Sequence, residues 1–165
     1  MKYRVLTVSR EYGSGGARIA KLVAEMLGWK LLDGELIDQI ACAANVDPAV
    51  VSSLDERVEG WLKRMNRQAM RTAALSGGVV PEKNECFDAD TMNELTRQIM
   101  EQAYADGNCV IVGRGGQTIL QSKPDAFHVF VYAPLEERVR RLKARLPEGV
   151  NVEKKARAVD AERAK

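Results

Sequence analysis

Three glycines and a serine occupy four successive positions near the start of the chain, within the stretch SREYGSGGARIA (residues 9–20). The backbone N–H groups of such a turn, placed before a helix, can converge on an anion such as phosphate. Phosphate loops commonly carry a lysine after their glycines, whereas this chain has Gly16 in that position. The candidate phosphate-binding residues are Gly13, Ser14, Gly15, Gly16 and Ala17.

Arginines are the candidates for the positive charge that a lysine would have supplied. Arg10 stands at the entrance of the loop and Arg18 on the first turn of the helix that follows. Guanidinium groups bind phosphate oxygens bidentately, which suits both positions. Arg10 could instead pair with Glu11, so its contact with phosphate remains one of two alternatives.

Two other interpretations of the glycine loop are open. It could be a strand-to-helix turn that uses glycine only for its positive φ. It could also belong to a dinucleotide-binding unit, for which Asp33 lies 20 residues after Gly13. That motif requires G-x-G-x-x-G, and the stretch GSGGAR has Arg18 in place of the third glycine.

The elements around the loop follow a strand, helix, strand order. YRVLTV predicts a buried strand, and WKLLD predicts a second strand that ends at Asp33. Gly28 is placed to end the helix between them. The apolar residues with helical spacing, which predict its buried face, are Ile19, Leu22, Val23, Met26 and Leu27.

The rest of the chain adds helices and two more strands. Only helical signals occur from Gly34 to Asp106, including a capping-box pattern at Thr91 and Glu94. CVIVG and FHVFVYA predict two further buried strands, and PLEERVRRLKARL predicts a basic helix. Asn151 can cap a last helix. The pattern indicates an α/β fold, a parallel sheet flanked by helices.

Several of these stretches resemble the cytidylate kinase-like family, P-loop relatives of the bacterial cytidylate kinases that begin with SREYGSGG. LLDGELIDQIA is similar to the family segment after the second strand, and NCVIVGRGGQTIL to its VIVGRGA strand and turn. VFVYAPLEERVRR is similar to the strand and helix before the lid, and RAVDAER has the lid spacing R-x-x-D-x-x-R. The resemblance extends over essentially the whole chain.

The resemblance implies a single P-loop NTPase-type domain with a helical monophosphate-binding insertion at about 35–106 and a lid at about 145–165. It implies ATP as donor, with Mg²⁺ bridged mainly by phosphates and water. Asp33 would lie at the monophosphate pocket, and Arg114 and Arg138 would contact substrate. Arg157 and Arg163 would close over the donor. Apart from the resemblance, the basic helix itself favours a solvated face for Arg141 and Arg145.

The sequence departs from the family pattern at two points. The loop lysine is missing, which the resemblance suggests is shared by this branch of the family. The chain also stops at Lys165, before the final strand and helix of its relatives, so we expect a truncated chain.

Composition narrows the possible partners. The net charge of +2 is too small to indicate wholesale binding to nucleic acid or membrane. Three widely spaced cysteines and one histidine argue against a zinc site or a disulfide framework, and the free thiols indicate the cytoplasm. No apolar stretch is long enough to predict a membrane helix.

A homodimer is possible through apolar residues of the insertion, including Val58, Trp61, Leu62 and Met65.

The favoured prediction is an ATP-dependent kinase of a nucleoside monophosphate such as cytidylate. Because Gly16 replaces the loop lysine, a nucleotide-binding regulatory module without catalysis is the alternative. An NAD(P)-binding oxidoreductase is the third and weakest hypothesis.

Overall fold

A computed structural model describes residues 2–34, 36–37 and 89–164 of the 165-residue chain. The chain divides into two compact units. The first combines Met1–Leu31 with Gly107–Lys165 and contains the glycine loop. The second is Leu32–Asp106. The predicted contacts of Val58 and its apolar neighbours lie outside the described residues.

Four strands form one sheet in the order β2-β3-β1-β4. They are β1 (Val5–Arg10), β2 (Lys30–Leu32), β3 (Cys109–Val112) and β4 (Ala126–Val131). The strand β1 pairs in parallel with both β3 and β4, with Val5 opposite Cys109 and Ala126. Because parallel strands end at the same edge of a sheet, Arg10 and the residues that follow β3 and β4 share one edge.

Five helices accompany the sheet in the described residues. They are α1 (Gly16–Leu27), α2 (Ala89–Asp106), α3 (Gly116–Ile119), α4 (Leu135–Lys143) and α5 (Val152–Arg163). This arrangement confirms the predicted α/β class. Gly28 ends α1 in the left-handed conformation, with φ +64°, and the Asn151 side chain caps α5 by accepting from the Lys154 N–H. The predicted start of α2 at Thr91 is wrong, since the helix begins at Ala89.

The helix α1 packs on the sheet through small residues. Ala20 and Ala24 are buried against Val8, Val110 and Val112. The periodicity of the larger side chains predicts the opposite, and that prediction is wrong, because Ile19 and Leu22 are about half exposed and Met26 is 85% exposed. The residues at positions 16, 20 and 24 share one helical stripe. Their small size lets the α1 backbone approach the strands closely.

A second core joins the two helices that follow the sheet. Leu142 of α4 is buried with Val152 and Ala156 of α5, and Tyr12 of the glycine loop packs against this cluster. A Cβ atom added to Gly13 would stand 2.8 Å from Leu142 Cδ1, so the loop backbone lies directly on α4. The same packing therefore fixes α4, α5 and the beginning of the loop.

The strand β4 is not buried as its sequence predicts. Phe127 and Phe130 are 48% and 61% exposed, and within the described residues β4 pairs only with β1. An apolar groove beside it is lined by side chains that include Tyr3, Leu27 and Trp29. None of the described helices is both long and apolar enough to cross a membrane.

The buried face of α1 can be tested by comparing two substitutions. Ala20→Leu should lower the free energy of unfolding by about 1–3 kcal/mol, because the added side chain overpacks the contact with the sheet. Met26→Ala should change it by less than about 0.5 kcal/mol, because the methionine is solvent-exposed. Urea unfolding measures both. A loss of about 2–5 kcal/mol for Met26→Ala, typical of a buried methionine, would instead support the face that the periodicity predicts.

Candidate phosphate-binding site

The glycine loop joins β1 to α1 in a conformation that leaves backbone donors available. Gly13 and Gly15 have φ values of +81° and +90°, which favour glycine. Gly15 is the N-cap of α1, and no side chain caps this helix end. The N–H groups of Gly13, Gly15 and Ala17 donate to no atom of the described residues. A helix N-terminus with such donors can bind a phosphate group.

Ser14 stabilises the loop from within. Its side chain is buried, and its hydroxyl donates to the Glu11 carbonyl at 2.9 Å while accepting from the Gly16 N–H at 3.4 Å. The hydroxyl therefore closes the turn.

Gly16 is constrained by its neighbours to be glycine. A Cβ atom at this position would stand 2.6 Å from Arg10 Cβ, 3.1 Å from Arg10 Cγ and 3.3 Å from Val131 Cβ. The first distance is well inside van der Waals contact, and the Arg10 Cβ cannot rotate away. The absence of a lysine at position 16 is thus coupled to the presence of a side chain at position 10.

The Arg10 side chain extends from this contact towards the end of β3. A Cβ atom added to Gly113 would overlap the Nη1 atom of Arg10. Gly113 directly follows β3, so the Arg10 guanidinium lies at the edge where both strands end. The Arg10 side chain therefore runs from Gly16 to Gly113, and its contact with phosphate stays a prediction.

Arg114 has an unusual backbone conformation at the same edge. Its φ is +52°, and the flanking Gly113 and Gly115 have φ values of +79° and +70°. The left-handed conformation costs a residue with a Cβ atom about 1–2 kcal/mol. Arg114 is exposed, so burial of its side chain does not offset this cost.

Arg138 lies buried beneath the loop. Its Nη1 atom donates to the Tyr12 carbonyl at 3.2 Å and to Asp160 Oδ2 at 2.5 Å, and its Nε atom lies 3.4 Å from Glu11 Oε2. Asp160 Oδ1 also accepts from the Tyr12 N–H at 2.7 Å. The resemblance implies that Arg138 contacts substrate, but in the structure its guanidinium is engaged by the protein. It is 6% exposed and bridges the loop to α5.

The two lid arginines have different surroundings. Arg163 donates to the Arg10 carbonyl at 3.3 Å and lies 5.5 Å from the centre of the Tyr12 ring. Arg157 instead pairs with Glu153 on the exposed surface of α5, at 2.9 Å. The structure therefore brings Arg163 to the loop but not Arg157.

Arg141 is a loop contact that the sequence interpretation missed. Its side chain is exposed, as predicted for a solvated helix face, but its Nη1 atom also donates to the Ser14 carbonyl at 2.9 Å. Its spacing of three residues from Arg138 was the available signal, since such residues share a helix face. Arg18, by contrast, is exposed on α1 and makes no contact of this kind with a described residue.

Asp33 is the second residue of the second unit, which begins at Leu32, and its side chain caps a helical turn. Its Oδ1 atom accepts from the Leu36 N–H at 2.9 Å, the bond that an aspartate makes as an N-cap residue. A contact of Asp33 with the acceptor stays a prediction. Among the described residues there is no cluster of three histidine, cysteine or acidic side chains that could hold a metal ion.

Comparison with solved structures gives distant relatives. An uncharacterized protein from Eubacterium ventriosum matches with a TM-score of 0.60 and 21% identity, over 96% of this chain and 72% of that one. Shikimate kinase from Bacteroides thetaiotaomicron matches with a TM-score of 0.49 and 14% identity, over 95% and 76% of the two chains. TT1252 from Thermus thermophilus gives 0.47 and 22%, over 99% and 80%. The first of these similarities supports the fold alone.

Comparison with protein families gives more than the fold. No curated protein matches the chain significantly. The model of the cytidylate kinase-like family, however, matches residues 5–165, and so includes the glycine loop and every arginine discussed above. The chain belongs to the cytidylate kinase-like family.

Proposed function

We propose that this chain transfers the γ-phosphoryl group of ATP to a nucleoside monophosphate, with cytidylate as the expected acceptor. Family membership supports a nucleotide kinase-like function. The observation that carries the proposal is the glycine loop, whose N–H donors at Gly13, Gly15 and Ala17 lie among arginine side chains. Such a site suits the phosphates of a nucleotide.

Phosphoryl transfer requires positioning and positive charge more than covalent chemistry. In this proposal the loop N–H groups hold the donor phosphates, and Arg10 faces the group that is transferred. Arg163 belongs to α5 and lies at the glycine loop, where it would help to exclude water from the donor phosphates. Arg157 is assigned to the same lid, although its present partner is Glu153.

The acceptor would be held by Arg114, whose backbone conformation favours a functional role over a structural one. Asp33 stays a predicted contact for the ribose or base of the acceptor. Arg138 supports the loop by its bonds to Tyr12 and Asp160, so we assign it to positioning instead of substrate contact. Arg18 remains a further cation that a bound nucleotide can recruit.

In this proposal the Mg²⁺ ion arrives on the nucleotide. The Ser14 hydroxyl is bonded to the Glu11 carbonyl, and the Glu11 carboxylate accepts from the Ala133 N–H at 3.2 Å. These oxygen atoms serve the loop's own structure. Mg²⁺ would therefore be ligated mainly by phosphate oxygens and water, and would neutralise charge on the phosphates.

The activity itself can be measured with the full chain, ATP and a panel of nucleoside monophosphates in a coupled assay for ADP. We expect the highest kcat/KM with cytidylate. Absence of ADP release with every acceptor would overturn the kinase assignment. ATP binding by calorimetry without turnover would then favour the regulatory module, and a thermal shift with NAD alone would favour the oxidoreductase.

The coupling between Arg10 and Gly16 predicts the result of exchanging the two side chains. Arg10→Gly should lower kcat about 100-fold, the effect of removing one charge-stabilising donor. Gly16→Lys alone should destabilise the protein because of its contact with Arg10 Cβ. The double variant Arg10→Gly/Gly16→Lys should recover at least about tenfold in kcat over Arg10→Gly.

Glycine is the required replacement at position 10, because alanine would retain the Cβ atom that blocks position 16. Circular dichroism and thermal unfolding of the three variants show whether each is folded. A folded double variant with no gain over Arg10→Gly would contradict the assignment of Arg10 to the charge position of the missing lysine.

Arg114 is expected to reduce stability while it supports activity. Arg114→Gly should lower kcat/KM at least about tenfold and leave the free energy of unfolding unchanged or raise it by up to about 1 kcal/mol. Arg114→Ala is the matched control, because it removes the guanidinium but keeps the strained Cβ. Full activity in Arg114→Gly would rule out a substrate contact.

A further inference from the structure

We propose that Arg141 binds the donor's polyphosphate directly, as a second cation of the glycine loop. This inference rests on the proposed function and adds a residue that neither the family motifs nor the sequence pattern assigned to the site. Its chemical class of ligand is the diphosphate or triphosphate chain of a nucleotide.

The first observation is how the arginines of α4 and α5 are neutralised. Arg138, Arg140 and Arg157 each pair with a carboxylate, from Asp160, Glu137 and Glu153 respectively. Arg141 and Arg163 have no such partner among the described residues. Each instead donates to a backbone carbonyl at the glycine loop. Positive charge is thus left uncompensated where a phosphate would bind.

The second observation is the position of the Arg141 guanidinium. It donates to the Ser14 carbonyl at 2.9 Å, and its Nη1 atom would lie 3.6 Å from a Cβ atom built on Gly15. A guanidinium has five N–H donors. The bond to Ser14 uses one of them and orients the group, and no other hydrogen bond of Arg141 to a described residue is present.

The position of the Arg141 guanidinium beside the N-terminus of α1 has an electrostatic consequence. Gly15 is the N-cap of α1, the positive end of the helix dipole, and the first turn of α1 contains no acidic residue. A cation beside a helix N-terminus is unfavourable by itself, whereas an anion there is favourable. A bound phosphate would interact with both the helix end and the guanidinium.

The two unpaired arginines also indicate the shape of the anion. Arg163 bonds the carbonyl of Arg10, which precedes the loop, and Arg141 bonds the carbonyl of Ser14 near its end. Two separate guanidinium groups therefore donate to carbonyls at the loop. A chain of two or three phosphates offers more oxygen atoms to two such groups than a single phosphate does.

The test compares Arg141→Gln with Arg140→Gln in the full chain. Arg140 is the neighbouring arginine on α4 and pairs with Glu137 on the exposed surface, which makes it a matched control. Calorimetry with ATP and Mg²⁺ should show binding weakened about 10- to 100-fold by Arg141→Gln, as expected for a lost charged hydrogen bond. Arg140→Gln should stay within about twofold of the unchanged protein.

Further measurements separate ligand binding from a structural role. Without nucleotide, Arg141→Gln should unfold at the same temperature as the unchanged protein or a higher one, because a cation near the N-terminus of α1 is removed. Arg141→Lys should bind ATP with intermediate affinity, since an ammonium keeps the charge without the planar fork. ATP affinity should also depend less on salt in Arg141→Gln.

The outcomes distinguish this inference from the function on which it rests. If the unchanged chain binds ATP and the two glutamine variants bind it equally well, Arg141 does not contact the phosphates and the inference is wrong. If the unchanged chain binds no ATP at all, the proposed function fails and the inference fails with it. A loss of ATP affinity accompanied by an equal loss of stability in Arg141→Gln would assign the residue to loop structure instead.

Discussion

The site depends on one buried guanidinium. Arg138 joins the Tyr12 carbonyl to Asp160 and lies beside Glu11, so a single charged group links the loop to α5. Removing one partner from a buried ion pair typically costs about 3–5 kcal/mol, because the other charge is left without compensation. The loop conformation and the position of α5 are therefore coupled. The core between α4 and α5 contributes as well, since Leu142 packs under the same loop.

The missing lysine has a steric explanation that concerns two positions together. Arg10 Cβ lies where a side chain at position 16 would begin, so an arginine at the end of β1 and a residue larger than glycine at the start of α1 exclude each other. From this contact the Arg10 side chain extends to Gly113 at the end of β3.

The arginines of this region divide by their partners. Arg138, Arg140 and Arg157 pair with carboxylates, whereas Arg141 and Arg163 bond backbone carbonyls at the loop. All five arginines belong to basic helices, and the amino-acid composition of these helices does not distinguish them. What separates them is whether a carboxylate of the described residues lies within reach, and this difference is the basis of the proposal for Arg141.

The sequence by itself determined the order of strands and helices and the position of the glycine loop, because turn residues and hydrophobic runs act over short distances. The family followed from the resemblance of several motifs to known relatives, and the family model confirms it. The sequence could not give the buried face of α1, where Ala20 and Ala24 are buried and larger residues are exposed. Nor could it give the exposure of β4. It also could not show why Gly16 must be glycine, or which arginines reach the loop. These features depend on contacts between residues that are distant in the chain, such as Ser14 with Arg141 and Tyr12 with Asp160, and only the tertiary structure decides them.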